Sequence, residues 1–284
     1  MKISLNWLND YVNISDIEAK DIMSRFSLVT AEIEGFEVKG EVAKSIIVAE
    51  VKTCEKIEGT KNLSKLTVWD GKKEIPVVCG APNVLAGLKI AFAPAGTTVG
   101  DLKLEKIKLA GCDSHGMCCS GKELGFSNDN DGILELDSEF KIGSKLSDVM
   151  PFICDTIFEI DNKSITNRPD LWGHYGIARE LSVIFGRQLK PIEMTDLKQY
   201  DNLKPVSIKI ESDKCNAYGA IRVDNVTVKT TPIEMAVRLH YLDVSSHGFM
   251  VDLSNYIMME TGQPNHAFDA GKIGKISIGN GVVG

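Results

Sequence analysis

Residues 63–79 have the sequence LSKLTVWDGKKEIPVVC. Apolar and polar residues alternate on both sides of Asp70-Gly71-Lys72, which is the period of a half-buried β-strand. Glycine tolerates the positive φ angle of a tight turn, so the triplet predicts a hairpin between strands Leu63–Trp69 and Glu74–Cys79. The hairpin indicates that the middle of the chain consists of antiparallel strands.

Further short strands extend this pattern in both directions. Ser45–Thr53 is β-branched and alternating, and Gly87–Ala95 alternates alanines with larger residues, as small barrels do where the interior narrows. Leu102–Ala110 and Ile133–Leu136 bring the total to about five or six strands. The strand pattern of residues 41–150 therefore predicts a Greek-key barrel of the OB type. The alternative is another small barrel or a sandwich.

Helical patterns flank the strand-rich segment. Ser15 followed by Glu18 has the spacing of a capping box, which predicts a helix start there. Residues 1–39 are expected to form a strand and two short helices. The apolar face of the second helix is expected to contain Ile17, Ile22 and Phe26.

A second helical segment follows the barrel. Asn167-Arg168-Pro169-Asp170 combines a capping residue with an early proline and an early acid, and it predicts a helix that stops at Gly186. Residues 190–205 are polar and bounded by prolines, so they are interpreted as a linker. The expected apolar stripe of the helix contains Ile177, Leu181 and Ile184.

The last part of the chain returns to a mixed pattern. Val206–Ile210 and Gly219–Val228 are expected strands, and Thr231-Pro232-Ile233-Glu234 predicts another capped helix, with proline at its first position. The sequence ends in a glycine-rich stretch, Gly279–Gly284, without a terminating element. We therefore expect this last domain to be incomplete.

Composition limits the possible functions. The formal net charge is −7, and residues 40–150 contain fourteen lysines, no arginine and sixteen acidic residues. Nucleic acid would therefore have to bind through a local lysine cluster, with strong salt sensitivity. The seven cysteines are odd in number and unevenly placed, which argues against a disulfide framework and for a reducing cytoplasm. No apolar run is long enough for a membrane span or a signal peptide.

Motifs over most of the chain resemble one family. The barrel segment contains VCGAPNV at 78–84 and SHGMCCS at 114–120, and these motifs resemble the tRNA-binding OB domain of several synthetases. Three further segments complete the match, namely the opening KISLNWLNDYV, NRPD followed by GIARE at 167–180, and VDLSNY with GQPNHAFD at 251–269. Their order is similar to that of the bacterial phenylalanyl-tRNA synthetase β subunit.

The resemblance implies an α+β multidomain fold. The OB-fold barrel of residues 41–150 would be inserted into a small α/β domain formed by residues 1–40 and 151–195. The first part of an editing domain would follow at 200–284. The whole enzyme would be a cytoplasmic α2β2 heterotetramer that charges tRNA with phenylalanine, using ATP and Mg²⁺. Its aminoacylation site would lie in the α subunit, and no cofactor or metal is expected in this chain. The chain alone is expected neither to aminoacylate nor to deacylate.

Candidate site residues fall in two regions. OB barrels bind nucleic acid on one strand face and its flanking loops, so a tRNA-facing rim is expected there, with a structural role for most of its members as the alternative. The resemblance places His266 in an editing pocket that hydrolyses mischarged Tyr-tRNA, and the alternative is a histidine that hydrogen-bonds backbone in a turn. The expected rim contains Lys65, Asn83, Ser114, Gly116, Met117 and Ser120.

Three other hypotheses are open at this stage. The four potential zinc ligands Cys112, His115, Cys118 and Cys119 lack paired CxxC spacing, so a zinc site is disfavoured. The charged residues of 168–180 are interpreted as a structural ion-pair network between domains rather than substrate contacts. A stand-alone, non-catalytic tRNA-binding module that shares only the barrel is the main alternative function.

Overall fold

The computed structural model describes residues 1–128, 131–203, 206–273 and the backbone of 276–278. The strands, in chain order, are β1 (Lys2–Ser4), β2 (Ile33–Lys39), β3 (Ile47–Lys56), β4 (Ser64–Trp69), β5 (Glu74–Cys79), β6 (Lys89–Pro94), β7 (Thr98–Val99), β8 (Leu102–Lys103), β9 (Ile107–Leu109), β10 (Cys112–Ser114), β11 (Gly116–Cys118), β12 (Glu135–Leu136), β13 (Asp155–Ile160), β14 (Ile208–Ile210) and β15 (Ile276–Ile278). The α-helices are α1 (Leu5–Tyr11), α2 (Ala19–Val29), α3 (Leu146–Val149), α4 (His174–Ile184), α5 (Ile233–Tyr241) and α6 (Phe249–Thr261).

The predicted hairpin and barrel are confirmed. Strands β4 and β5 pair antiparallel around a turn in which the Asp70 carboxylate accepts hydrogen bonds from the amides of Lys72 and Lys73, both at 2.7 Å. The sheet continues in the order β11-β6-β3-β4-β5, and β12 adds to β6. The sheet nearly closes on itself, because the His115 amide donates to the Pro76 carbonyl of β5 at 2.9 Å. This is the OB-type arrangement.

A second sheet unites the segments on either side of the barrel. Strand β13 lies between β1 and β2 and pairs antiparallel with both. Helices α1, α2 and α4 cover this sheet, and their buried side chains share one apolar core with it. The barrel is therefore inserted into a small α/β unit, as the sequence predicts. Representative core residues are Ile3, Leu8, Phe26, Phe158 and Ile177.

Helices α5 and α6 dock on the rest of the molecule. Val237 and Tyr241 of α5 share a buried cluster with Trp7 of α1 and Ile153. The Tyr241 hydroxyl donates to the Ile153 carbonyl at 2.8 Å. Strands β14 and β15 pair in parallel.

The predicted helix starts at Ser15 and Thr231 are wrong. Helix α2 begins at Ala19 after Glu18, because the Ser15 hydroxyl is hydrogen-bonded to the Asn13 side chain and caps no amide. Helix α5 begins at Ile233, so Pro232 is the residue before the helix, and the Thr231 hydroxyl bonds to Asp252 instead. In both cases another polar side chain takes up the hydroxyl that the pattern assigned to a cap.

Three further differences concern α4, a predicted strand and β2. Helix α4 begins at His174, because Pro169–Leu171 forms a separate 3-10 turn. Gly219–Val228 is irregular, and none of the described residues pairs with it as a strand. Strand β2 was not predicted from the sequence, because Gly35 interrupts its alternation at a register shift opposite Glu159.

Candidate nucleic-acid interface

The β3–β4 hairpin contains a lysine-rich stretch of the barrel. Residues 52–65 hold four lysines against two glutamates. Lys56, Lys61 and Lys65 are exposed, and none of the three forms a salt bridge within the described part of the chain. We call residues 52–65 the lysine hairpin. It supplies local positive charge in an acidic chain, and phosphate groups bind such charge.

Lys65 is the predicted rim residue with the most accessible side chain. It lies on β4, opposite Glu55 of β3 and Val78 of β5. Its neighbours along β4, Ser64 and Leu66, are fully buried, so Lys65 projects from the outer face of the barrel. It can reach a phosphate without disturbing the core.

Asn83 instead clamps two parts of the barrel together. Its side-chain oxygen accepts from the Ile133 amide at 2.9 Å, and its nitrogen donates to the Ile133 carbonyl at 3.0 Å and to Glu135 at 2.8 Å. A side chain at Gly132 would lie only 2.5 Å from the Asn83 oxygen. The amide of Asn83 is therefore committed to internal bonds.

Ser114 and Gly116 form part of the barrel seam. The buried Ser114 hydroxyl accepts from the Val78 amide at 3.1 Å, which joins β10 to β5. A Cβ atom at Gly116 would lie 2.4 Å from the ring of Phe92, so this position has no room for a side chain. Both residues serve the closure of the barrel in this geometry.

Met117 and Ser120 complete the predicted rim. Met117 is half-buried and packs against the apolar cluster around Trp7. The buried Ser120 accepts from the Glu123 amide at 3.3 Å, and the Glu123 carboxylate accepts from the Ser120 hydroxyl at 2.9 Å and amide at 2.6 Å. This reciprocal capping fixes the turn that follows β11. RNA contact by these residues stays a prediction.

His266 lies on an exposed segment that is anchored to α6. The Ser254 hydroxyl donates to the Asn265 carbonyl at 2.7 Å, and the Asn265 side chain donates back to the Ser254 carbonyl at 3.0 Å. These two bonds fix the backbone beside His266, while its imidazole lies 6.3 Å from the Phe268 ring. The imidazole is accessible to a ligand on this surface, and its role stays a prediction.

Asp252 organises the loop before α6. Its buried carboxylate accepts from the Ser246 hydroxyl at 2.5 Å, the His247 amide at 2.8 Å and the Thr231 hydroxyl. Burial alone would raise the pKa of Asp252, but these hydrogen bonds hold it below its usual value. A charged Asp252 thus joins the start of α5 to the start of α6.

A stacked joint connects α1, α4 and α6, and sequence reasoning did not predict it. The fully buried Trp7 ring lies 4.2 Å from the His174 ring and 4.1 Å from the Tyr256 ring. The Arg238 guanidinium lies 5.4 Å from the Trp7 centroid and donates to Asp10 and to the Tyr256 hydroxyl, both at 2.7 Å. The members come from distant segments, so no local pattern could identify them.

His174 is neutral in this joint. Its Nε2 accepts from the Ser4 amide at 3.0 Å, so the ring proton is on Nδ1, which donates to the Met259 carbonyl at 2.7 Å. Burial lowers the pKa of His174 to about 3, and the positive charge of Arg238 acts in the same direction. The joint would have to open before this imidazole could be protonated.

Charged side chains of 168–180 form the predicted ion-pair network. Arg168 bonds Asp170 at 2.8 Å and Glu180 at 2.5 Å, and Arg179 bonds Asp170 at 2.6 Å. Arg168 lowers the pKa of Asp170 to about 2. The Thr30 hydroxyl also donates to Glu180, so the network ties the end of α2 to α4 within one α/β unit rather than between domains.

The four sulfur and imidazole groups considered for zinc do not converge. Cys112 lies on β10 and Cys118 on β11, while Cys119 is buried in the cluster around Trp7. Among the described residues, no three or more His, Cys, Asp or Glu side chains are grouped as metal ligands would be. In the same part of the chain, no helix is both long and apolar enough to cross a membrane.

Two domain families match the sequence. Residues 46–145 match a putative tRNA binding domain, which covers the barrel. Residues 214–282 match a B3/4 domain, which includes α5, α6 and His266.

The curated relatives share one description. The chain is 37% identical over 271 residues to the phenylalanine–tRNA ligase beta subunit of Solibacter usitatus, covering 95% of this chain and 33% of that protein. It is 35% identical over 284 residues to that of Francisella tularensis, covering 98% and 35%. The corresponding subunit of Oceanobacillus iheyensis is 33% identical over 300 residues, covering 100% and 36%. The chain thus spans about a third of the length of these relatives.

Among solved structures, a MetRS-related protein from Pyrococcus horikoshii is 29% identical, with a TM-score of 0.27. The match covers 35% of this chain and 86% of that chain.

Proposed function

We propose, from the premise that this chain belongs to the family of phenylalanine–tRNA ligase beta subunits, that it binds tRNA and supports the attachment of phenylalanine to it. The observation that carries the proposal is a similarity of 32–37% identity along at least 95% of the chain, in which the barrel is a putative tRNA binding domain. A stand-alone tRNA-binding module would account for the barrel alone, and is not favoured.

The similarity to β subunits about three times as long supports further proposals about the complete enzyme. The whole protein is proposed to be cytoplasmic, to act with a catalytic α subunit in an α2β2 assembly, and to use ATP and Mg²⁺. In this proposal ATP and Mg²⁺ act in the whole enzyme, and no residue of this chain is assigned to them.

In this proposal the tRNA backbone lies against the lysine hairpin. Lys56, Lys61 and Lys65 are exposed and free of salt bridges within the described residues, so binding a phosphate breaks no existing ion pair. Asn83, Ser114 and Ser120 belong to the proposed tRNA-facing rim, and hydrogen bonds within the barrel hold them in place. Each lysine that neutralises a phosphate releases about 0.7–0.9 of a counterion, so affinity falls steeply with salt.

The salt dependence of tRNA binding tests this interface. Lys65→Ala should weaken tRNA binding and reduce the magnitude of the slope of log K against log salt by about 0.7–0.9. The triple Lys56/Lys61/Lys65→Ala variant should reduce it by about 2–3. Lys103→Ala is the matched control, because Lys103 is exposed on β8, which belongs to a different sheet from the hairpin. An unchanged slope in the triple variant would rule out this surface.

The second proposed activity is editing by the B3/4 region. A hydrophobic phenylalanine site rejects an isostere that adds one hydroxyl by only about a hundredfold, so a second site that hydrolyses Tyr-tRNA improves accuracy. His266 orients the ester or a water through its imidazole in this role. The Ser254–Asn265 bonds support the assignment by fixing the backbone beside it.

Deacylation by the complete enzyme tests the editing role. A full-length β subunit carrying His266→Ala, assembled with its α subunit, should hydrolyse Tyr-tRNA on the order of a hundredfold more slowly and accumulate it. The charging rate for phenylalanine should be unchanged. Wild-type hydrolysis by the His266→Ala enzyme would dismiss the role.

A further inference from the structure

Two thiols meet at the seam of the barrel. Cys79 ends β5 and Cys118 ends β11, and both belong to the same buried apolar cluster, with 7% and 6% of their surfaces exposed. The two segments adjoin across the seam, where the Val78 amide donates to Ser114 and the His115 amide donates to Pro76.

The two thiols are neighbours within this cluster, and the Ala81 amide donates to the Cys79 sulfur at 3.4 Å. The interaction between the two thiols lowers the pKa of Cys79 and raises that of Cys118, and the Ala81 amide strengthens the first effect. Cys79 is therefore the better nucleophile of the two, since the thiolate is the reactive form.

A buried hydroxyl lies beside this pair. Ser64 is directly opposite Cys79 in the β4–β5 register, so their side chains share one face of the sheet. The Ser64 hydroxyl is fully buried and has no hydrogen-bond partner among the described residues. A buried hydroxyl without a partner is costly, and a sulfur anion at Cys79 would provide an acceptor.

We propose that Cys79 and Cys118 form a redox modification site, a dithiol that peroxide converts reversibly into a disulfide across the barrel seam. The Cys79 thiolate attacks one oxygen of hydrogen peroxide, which gives a sulfenic acid and hydroxide. The Cys118 sulfur then displaces hydroxide from the sulfenic acid, its proton completes the second water, and the S–S bond forms. Two thiols and one peroxide become one disulfide and two waters.

The neighbouring cysteines do not share these features. Burial raises the pKa of Cys119 to about 12, and its thiol donates to the Met117 carbonyl at 3.8 Å. Cys112 lies on β10 in the peripheral β9–β10 hairpin. These features therefore separate the Cys79–Cys118 pair from Cys112 and Cys119.

Peptide mapping of the peroxide-treated 284-residue chain tests the proposal. After alkylation of free thiols and trypsin digestion without reductant, peptide 74–89 should be cross-linked to peptide 109–122. Fragmentation must place the bond at Cys118, because the second peptide also contains Cys112 and Cys119. Dithiothreitol should restore both thiols.

Variants provide matched controls. Cys118→Ser should abolish the cross-link, whereas Cys119→Ser and Cys112→Ser should leave its yield unchanged. Fragmentation of the wild-type product decides the question even if a serine variant fails to fold. The proposal is overturned if Cys79 and Cys118 remain free or become sulfonic acids without linking, or if Cys79 links to another cysteine.

Discussion

Replacement of His174 by glutamine should reduce the loss of folding stability that this chain suffers when the pH falls. His174 accepts from the Ser4 amide and donates to the Met259 carbonyl, and it stacks on Trp7. A glutamine side chain offers one acceptor and one donor group but does not titrate. The variant loses stacking energy at every pH, so the informative quantity is the change in stability with pH.

The magnitude follows from the difference between the folded and unfolded pKa. Burial lowers the pKa of His174 to about 3 in the folded chain, against about 6.5 in an unfolded chain. Between these values the unfolded state binds a proton that the folded state does not, so falling pH favours unfolding. From pH 7.5 to pH 5.0 this single group should remove about 2 kcal/mol of stability.

Urea unfolding followed by far-ultraviolet circular dichroism measures this difference at the two pH values. The wild-type chain should lose about 2 kcal/mol more than His174→Gln on acidification, because the other titrating groups are common to both proteins. Equal losses in the two proteins would refute a buried, neutral imidazole at the joint.

Three further substitutions test the packing. Gly173→Ala places a Cβ atom 2.3 Å from the Gly262 amide nitrogen, so it should lower the free energy of unfolding, measured by thermal unfolding, by at least about 1–3 kcal/mol. In the control Gly35→Ala the new Cβ atom meets no atom within 4 Å, so the loss of stability should be much smaller. Ala110 has a φ of 47° in a two-residue hairpin turn, so Ala110→Asn should stabilise by about 1 kcal/mol, and a loss of stability in urea would contradict that turn. Asn83→Ala should cost about 2–3 kcal/mol in the same assay by leaving a buried amide and carbonyl unpaired, and a loss below 0.5 kcal/mol would contradict the clamp.

Local patterns predicted the barrel well, because its decisive features are short-range. The turn at Gly71 and the alternation of β4 and β5 lie within seventeen consecutive residues, and the hairpin occurs as expected. Strand β2 escaped prediction, because its partner β13 is far away in sequence and Gly35 breaks its pattern at a register shift. The two capping-box predictions failed because the Ser15 and Thr231 hydroxyls form hydrogen bonds with the side chains of Asn13 and Asp252 instead of with helix amides.

The candidate site was less predictable than the fold. Motif residues such as Asn83 and Ser114 were identified, but their bonding partners come from segments that no local pattern connects. The joint around Trp7 depends on three helices far apart in sequence. The domain boundaries at residues 40, 150 and 200 and the roles of Lys65 and His266 stay predictions.

Lysine footprinting of the chain bound to tRNA tests the proposed interface most directly. An amine-reactive acetylating reagent labels exposed lysines, and mass spectrometry compares each site with and without saturating tRNA. Lys56, Lys61 and Lys65 should be protected, while Lys103 and Lys141 should react as in the free protein. Binding of tRNA with no protection on the lysine hairpin, and protection at Lys103 or Lys141 instead, would contradict the account.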